Sequence, residues 1–538
     1  MAIKIQGNTV IDDSRNLTNI NSFNGLNYPT TDGQENQVIV TDGSGNLTFA
    51  DQAGGGTTEL IASGTIPEAG VTVALRDDGK VEVVKETPVS EDLGNVTTIE
   101  SDSFDQLRFY TKAMCYHPVN DAIILVYGAE QPGNENEGTK TYVAVGFISG
   151  SSISFGSPAI ILESTPTRAG VIEDAKAIYD SINDKIIITY VSDDLGYGVV
   201  GDVSGLSISL GSEFQWSRGP SYLHVTENDA VFDPVSGKVV FVWSERDDIS
   251  NDRATYYNLG TVSGTSISFD GEVLYESNSN SIGLEYDPVG EQIIFVFSGE
   301  VKVGTVSGSS ISFGSPGFSG IAVDSTTYDP VARGIVIVDY DEINLGVISG
   351  SSISFGSPVK FTNDESVDFN NTLVEYHSDS GRIIILYREG FPDYFGKLVV
   401  GTLNPSGTSY SFSSPVTFAS VDVEYPFAVT DDSESNRIAI SYAANDQDAD
   451  TSNLFAFTYT PAYDETNAEN FIGFAAGAAA DNEPVQVAVE YQIDTNQTGL
   501  TPKSEYYIDT DGSITTLDTG YPFIAGYALN SNTIQVGG

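Results

Sequence analysis

A chain of 538 residues carries 75 acidic and 23 basic side chains, a formal charge of −52, so nucleic acid and anionic membrane surfaces are excluded as partners: lysine and arginine are too few to displace counterions. With 40% apolar and 11% aromatic residues the chain is acidic yet able to bury a core. Its single cysteine, Cys115, excludes a disulfide framework and a thiolate metal cluster.

Taken from the start, residues 1–56 show no apolar signal-peptide core, and no run anywhere approaches the roughly 18 apolar residues of a membrane-crossing helix. The strand-forming pieces here are too short and too poor in apolar residues to bury a core alone, so docking or oligomerisation must complete them. Residues 57–92 include ELIASGTIPEAGVTVALRDDGKVEVVK, which reads as strands separated by Gly and Asp turns.

Residues 93–460 are dominated by a repeat. VGFISGSSISFGSP from Val145 recurs as VGTVSGSSISFGSP from Val303 and LGVISGSSISFGSP from Leu345, with looser copies from Val200, Leu259 and Val400. Each copy follows a second element of the type FDPVSGKVVFVW, and a seventh such element, DDSESNRIAISY, begins at Asp431. The residues at the Asp position of this element are His117, Asp180, Asp233, Asp287, Asp329, His377 and Asp432, a mean spacing of about 52 residues. Each unit reads as four strands; near Asn371 they are NTLVEY, RIIILYR, KLVVGTL and SYSFSSPVTF. Four strands in about 50 residues is the period of a propeller blade, so the sequence predicts an all-β chain built on a seven-bladed β-propeller. The seventh unit lacks its SISFGSP strand, and GNVTTIES, Gly94 to Ser101, stands ahead of the first unit where PVKFTNDES stands in a complete one. A closed ring needs such a borrowed strand, because it removes the exposed edge.

The two faces of this ring differ in sequence. The DPVSG-type and SGSS-type turns are short and uniform, whereas loops between second and third strands vary from minimal, near Ser298 and Asp341, to the long GAEQPGNENEGTK, SERDDISNDRA, REGFPDYFG and AANDQDADTS. Length variation on a repeated frame marks the binding face. Candidate ligand-binding residues there are Asn134, Glu135 and Asn136; Asp247, Asp248, Asn251, Asp252 and Arg253; and Phe391, Asp393 and Tyr394. The connection RGPSYLHVTEN adds Arg218, Tyr222 and His224. Aromatics, amides and carboxylates together suit a saccharide or protein surface.

No catalytic constellation is found. The sialidase-type Asp box S-x-D-x-G-x-T-W is missing, since the SGSSISF turns lack its Asp and Trp. His117 and His377 occupy the Asp position of the YDP turn, and His224 belongs to the other face, so three histidines draw no metal site. No cofactor or metal site is expected; the alternating Asp446, Asp448 and Asp450 are the one candidate set for calcium. Asp509-Thr510-Asp511-Gly512 begins like a calcium loop, but position twelve of an EF-hand would be Gly520, so it reads as a hairpin turn.

The flanking segments resemble a known family. IKIQGNTVIDDSRNLTNI and LNYPTTDGQENQVIVTDGSGNLTFAD, together residues 3 to 51, are similar to the N-terminal region of tail-fibre-like virion proteins of marine phages, especially cyanophages. The matching residues are Tyr28, Pro29, Asp32, Gly33, Gln37, Val38 and Thr41 to Leu47. NFIGFAAGAAADNEPVQVAVEYQIDTNQTGLTPKSEYYIDTDGSITT, from Asn470, resembles a terminal β domain of phage fibres, and residues 59–85 resemble the strands preceding it. The SGSSISFGSP repeats also resemble propeller arrays in marine phage structural proteins.

The resemblance implies an N-terminal attachment and trimerisation arm at 1–56 and a split β domain at 57–92 and 461–538, with the propeller of 93–460 inserted in it. It further implies a homotrimeric, non-enzymatic tail fibre or tail-associated adhesin on the virion. Its partners would be other tail or capsid proteins through the arm and a host-surface glycan or protein, with no membrane insertion. Two other readings compete: a ligand-free fibre or capsid-decoration protein, and a propeller glycan hydrolase.

Overall fold

The computed structural model describes residues 57–102, 108–130, 139–163, 172–217, 223–247, 252–277, 282–297, 300–320, 322–363, 367, 372–390, 394–446, 451–516 and 523–537, and, as backbone alone, 3–5, 8–11, 22–23, 26–27, 37–41 and 47–51. Among them the protein is all-β: the only helical turns are the short 3-10 segments Pro118–Asn120 and Ala468–Asn470. The chain divides into two compact units, Met1–Pro88 with Asp464–Gly538, and Val89–Tyr463.

In the larger unit seven antiparallel sheets follow one another along the chain. The first comprises Arg108–His117, Ala122–Glu130, Lys140–Ser149, Ser152–Phe155 and Ala159–Glu163. Its first four strands lie side by side in sequence order, the fifth piece pairs back onto the third, and the next five sheets repeat this plan. The stretch predicted as one outer strand is therefore two. Ser152–Phe155 and Ala159–Glu163 both pair with Lys140–Ser149. The ladder breaks at Gly156-Ser157-Pro158, where Gly156 donates its N–H to Val145 O at 2.9 Å and Pro158 has no N–H to give.

That glycine has a packing reason. A Cβ on Gly156 would overlap the backbone carbonyl of Leu206 in the following sheet's turn; Gly211 meets Thr265 and Gly314 meets Ser351 in the same way. The breaks at Gly156, Gly211 and Gly314 are thus the seats of the following sheet's SGxS turn, whereas Gly356 meets only Thr408 O at 3.8 Å.

Second strands such as IILVY, IIFVF and IIILY are unbroken apolar runs because both of their faces are buried. Alternate residues enter different cores. Ile124 and Val126 pack with the second sheet, while Ile123, Leu125 and Tyr127 pack with Ala439, Ala443 and Leu454 of the seventh. One such core lies between each pair of successive sheets, and one joins the seventh to the first. The first strands of successive sheets also touch, as do those of the seventh and the first.

The seventh sheet holds Val423–Asp432, Arg437–Asp446 and Thr451–Thr460, and its outer edge is taken by Asp92–Leu93 and Thr97–Asp102, both antiparallel to Thr451–Thr460. Asp92 therefore belongs to the larger unit, which begins at Val89 rather than at residue 93. At its other end Tyr463 is buried against the His377 ring, so the unit closes at Tyr463 rather than at residue 460.

The smaller unit contains two five-stranded sheets. One orders Thr58–Ile61, Pro484–Val489, Phe471–Ala475, Thr72–Leu75 and Val81–Val83, interleaving strands from both chain segments. The other orders Ile493–Asp494, Thr533–Val536, Ile524–Asn530, Glu505–Ile508 and Ile514–Thr515. Phe474, Ala488, Tyr506, Ile508, Ala525 and Ile534 form a core shared by the two sheets. The Asp509 to Gly512 stretch is a hairpin turn: Gly512 N–H donates to Asp509 O at 3.0 Å and Ser513 N–H to the Asp511 carboxylate at 2.8 Å.

Candidate functional site

Antiparallel order fixes which loops share an end of each sheet in the larger unit. At one end lie the first-to-second and third-to-fourth turns. At the other lie the second-to-third loops and the connections to the next sheet. Asp92 pairs with Thr460, and Tyr459 with Ile438, so the chain enters and leaves this unit at the end of the seventh sheet that carries the short turn 433–436. Thr460 Oγ1 donates to Asn436 O at 3.0 Å within that turn. The strand ends that flank the variable loops therefore lie at the end away from Asp92 and Thr460.

Asn134, Glu135, Asn136, Arg218, Tyr222, Asp248, Asn251, Phe391, Asp393, Asp448 and Asp450 lie outside the described residues, and Asp446 is described only as the backbone end of Arg437–Asp446, paired with Thr451. Among the described residues no group of three His, Cys, Asp or Glu is arranged to hold a metal ion.

His224, Asp247, Asp252 and Arg253 come together at the variable end of the third sheet. His224 lies opposite Arg246, and Arg246 opposite Arg253, so three cationic or titratable side chains form a row across three strands. Asp247 N–H donates to Asp252 O at 2.9 Å and closes the loop between them. The His224 Nδ1 lies 2.6 Å from the carboxylate of Asp194, a residue of the second sheet. Asp193 and Asp194, with φ of 50° and 65°, form a two-residue turn between Lys185–Ser192 and Leu195–Ser204, the type I′ geometry that Asp tolerates. Its tightness fixes Asp194, whose carbonyl also accepts from Val225 N–H at 2.9 Å.

Tyr394 belongs to the sixth sheet, away from this row in sheet order. The Arg388 guanidinium sits 4.7 Å from its ring centre and donates to Val423 O at 2.8 Å, so the Tyr394 ring serves an internal cation–π contact.

Charged groups on the first strands form a second set that sequence reading passed over. The Asp174 carboxylate accepts from Asn228 N–H at 2.7 Å, Asp229 from Leu284 N–H at 2.8 Å, and Glu285 from Thr326 Oγ1 at 2.9 Å. Each bond steps from one sheet to the next, where first strands make no mutual backbone ladder. Burial pushes the Glu285 carboxyl up to about 8, the Thr326 hydroxyl opposing and the Asp229 charge adding. Burial likewise raises Asp431 to about 7 and Glu375 well above the usual carboxylate range. Burial works against the charge of Lys176, but Asp174 and Asp229 beside it hold its pKa above the ordinary value. The signal was present in the sequence as Lys176, Asp229, Glu285 and Glu375 on the first strands, two of them, IGLEYD and LVEYH, mostly apolar.

At the opposite end the repeated Asp is a turn acceptor. The Asp287 carboxylate accepts from Val289 N–H at 2.9 Å, Gly290 N–H at 3.0 Å and Tyr328 Oη of the next sheet at 2.6 Å. His117 and His377 take the same place: their Nδ1 atoms accept from Asn120 N–H at 3.3 Å and Ser380 N–H at 3.1 Å. Burial lowers the pKa of both, that of His377 to about 4, and keeps the imidazoles neutral so that Nδ1 can accept.

No family model and no curated protein matches this chain. Solved structures similar to it include a protein from Lactobacillus plantarum, at 10% identity over 58% of this chain and 86% of that one, TM-score 0.39. A functionally unknown protein from Desulfotomaculum acetoxidans shares 12% identity over 67% and 98% of the two chains, TM-score 0.39. The WD40 domain of SCAP from fission yeast shares 9% over 73% and 98%, TM-score 0.38. At these scores none of the likenesses carries weight for function.

Proposed function

We propose that residues 89–463 form a seven-bladed β-propeller closed by the strand Thr97–Asp102, and that it is the recognition head of a phage virion protein of the tail-fibre or tail-associated adhesin type. The all-β architecture, seven repeated sheets and a buried core between the seventh and the first support the ring. The resemblance of residues 3–51 and of the segment from Asn470 to marine phage fibre proteins supports the virion setting, the N-terminal arm as attachment segment, and a homotrimer.

One observation carries the recognition role. The connecting segments reach the ring at its uniform end, beside turn 433–436, and the strand ends that carry the long loops are at the other end of the sheets. The ligand is a host-surface glycan or protein met by loop side chains and by the His224, Arg246, Arg253 row at the adjoining strand ends. The acidic surface discourages indiscriminate adhesion to anionic cell surfaces.

The test is binding of fluorescently labelled full-length protein to marine cyanobacterial cells, beside variants shortened within 247–253 and within 391–394. Binding that falls in the shortened variants supports the reading; equal binding by all forms, or none by any, counts against it. Sugar released from host lipopolysaccharide by the purified protein would favour a hydrolase instead.

A further inference from the structure

The uniform end of the larger unit carries an unexpected apolar series. In sheets one to five the residue at the tip of the first-to-second turn is Val119, Ile182, Val235, Val289 or Val331, with exposures of 67%, 58%, 61%, 51% and 56%. In four of the five a proline precedes it. A turn tip in water is ordinarily polar, and five branched aliphatic side chains at one repeat position concentrate exposed apolar surface on one face. Successive turns touch: Ile182 Cδ1 lies 3.4 Å from where a Cβ on Gly237 of the third sheet's turn would stand, and Val331 Cγ2 lies 3.8 Å from that of Gly381 in the sixth sheet's turn.

The series stops where the chain's own connection runs. In sheets six and seven the tip position holds Asp379 and Glu434. There Arg382 donates to Ala462 O, and Tyr463 packs edge-on against His377. Turn acids stand two residues after three of the aliphatic tips, as Asp121, Asp184 and Glu291, and one cation, Arg333, stands there after Val331; the nearby Lys185 and Lys238 are engaged by Asp202 and Asp270. The face thus combines apolar tips with carboxylates.

We propose that this five-tip crescent is a docking surface for another protein, whose contact segment presents apolar side chains flanked by lysine or arginine. Charge decides the occupant: two copies of a chain bearing −52 repel each other when acidic faces meet, whereas a basic segment is attracted to this one. The chain also enters and leaves the larger unit on this face. The inference rests on the proposed virion setting for the identity of the partner, but not for the chemistry of the surface.

The experiment compares full-length protein with the variant Val119→Ser, Ile182→Ser, Val235→Ser, Val289→Ser and Val331→Ser. Two labelled synthetic peptides serve as probes, one alternating leucine with lysine and one alternating leucine with glutamate, followed by fluorescence anisotropy in 0.15 and 0.5 M salt. The native protein should bind the lysine peptide and not the glutamate peptide, and the five-site variant should bind it at least about tenfold more weakly at the higher salt, where charge alone is screened. Equal affinity of the two proteins would overturn the proposal, because attraction would then be charge alone. A native oligomer that dissociates in the variant, seen by sedimentation, would also overturn it and assign the crescent to self-association. Because the tips are exposed, the variant should melt within about 3 °C of the native protein; if it melts lower, Val119→Ser and Val235→Ser alone decide, with weakened lysine-peptide binding supporting the proposal and unchanged binding refuting it. Loss of host-cell binding in the loop-shortened variants is a separate result, so failure of the recognition reading and failure of the docking surface are distinguishable.

Discussion

The side-chain amide of Asn95 donates to the hydroxyl of Ser152 at 3.0 Å and to that of Ser151 at 3.2 Å. Asn95 lies between the two strands that complete the seventh sheet, and the serines form the outer turn of the first. Beside it the backbone of Gly94 leaves 2.6 Å between its missing Cβ and Ser151 O, the packing that Gly156, Gly211 and Gly314 make with the turns that follow them. Thr97 Oγ1 donates to Ile153 O at 2.8 Å and Tyr127 Oη to Glu100 at 2.9 Å. The seventh sheet thus meets the first as the first, second and fourth sheets meet those that follow them.

Gly94→Ala and Gly156→Ala should therefore behave alike. Each added methyl meets a backbone carbonyl that cannot move without shifting a turn, and each should cost about 1–3 kcal/mol. Gly128→Ala, whose Cβ meets only the flexible end of Lys112 at 3.7 Å, should be neutral or stabilising by up to about 1 kcal/mol. Denaturant melts of the three variants decide this, and a silent Gly94→Ala beside a costly Gly156→Ala would separate the closing contact from the others.

His377 should contribute to an acid limb of stability, beside His117. Its folded pKa of about 4 lies below the ordinary 6.5, so the unfolded chain binds the proton more tightly. The stabilisation is complete above pH 6.5 and is lost as pH falls toward 4, about 3 kcal/mol for a fully buried ring. His377→Asn keeps an acceptor for Ser380 N–H without a titrating group. Its stability should be flatter than that of the native protein between pH 6.5 and 4, measured by urea unfolding; an unchanged slope would place the acid sensitivity elsewhere.

The alkaline limb has the opposite sign. Glu285 is raised to about 8, so its contribution is present below its unfolded value near 4.5 and is lost as pH rises through 8. Glu285→Gln retains an acceptor for Thr326 Oγ1 and removes the charge. It should be more stable than the native protein at pH 9 and nearly equal at pH 5, by thermal melting. The reverse order would mean that Lys176 holds Glu285 ionised.

Much of the all-β architecture was legible because the repeat is local. The runs IILVY, IIITY and VVFVW announce strands buried on both faces, and FDPVSG and SGSS announce their turns. The break within SISFGSP was not legible, since the reason for its glycine is a carbonyl in the next sheet. The candidate row was half legible. His224 and Arg253 were chosen from loop composition, but Arg246 and Asp194 join them only through strand register and a two-residue turn. Lys176 and Glu285 are visible on their first strands, yet their partners Asp229 and Thr326 are some 40 to 60 residues away in sequence.

The most direct measurement of the central claim is immunogold electron microscopy on intact phage particles, with antibodies raised separately to segments 131–138 and 248–251 of the variable end and to the turn 234–237 of the uniform end. The account predicts gold on the tail or fibre from both variable-end antibodies and little from the uniform-end antibody, whose target faces the particle. Particles without label, or label from the uniform end alone, would contradict it.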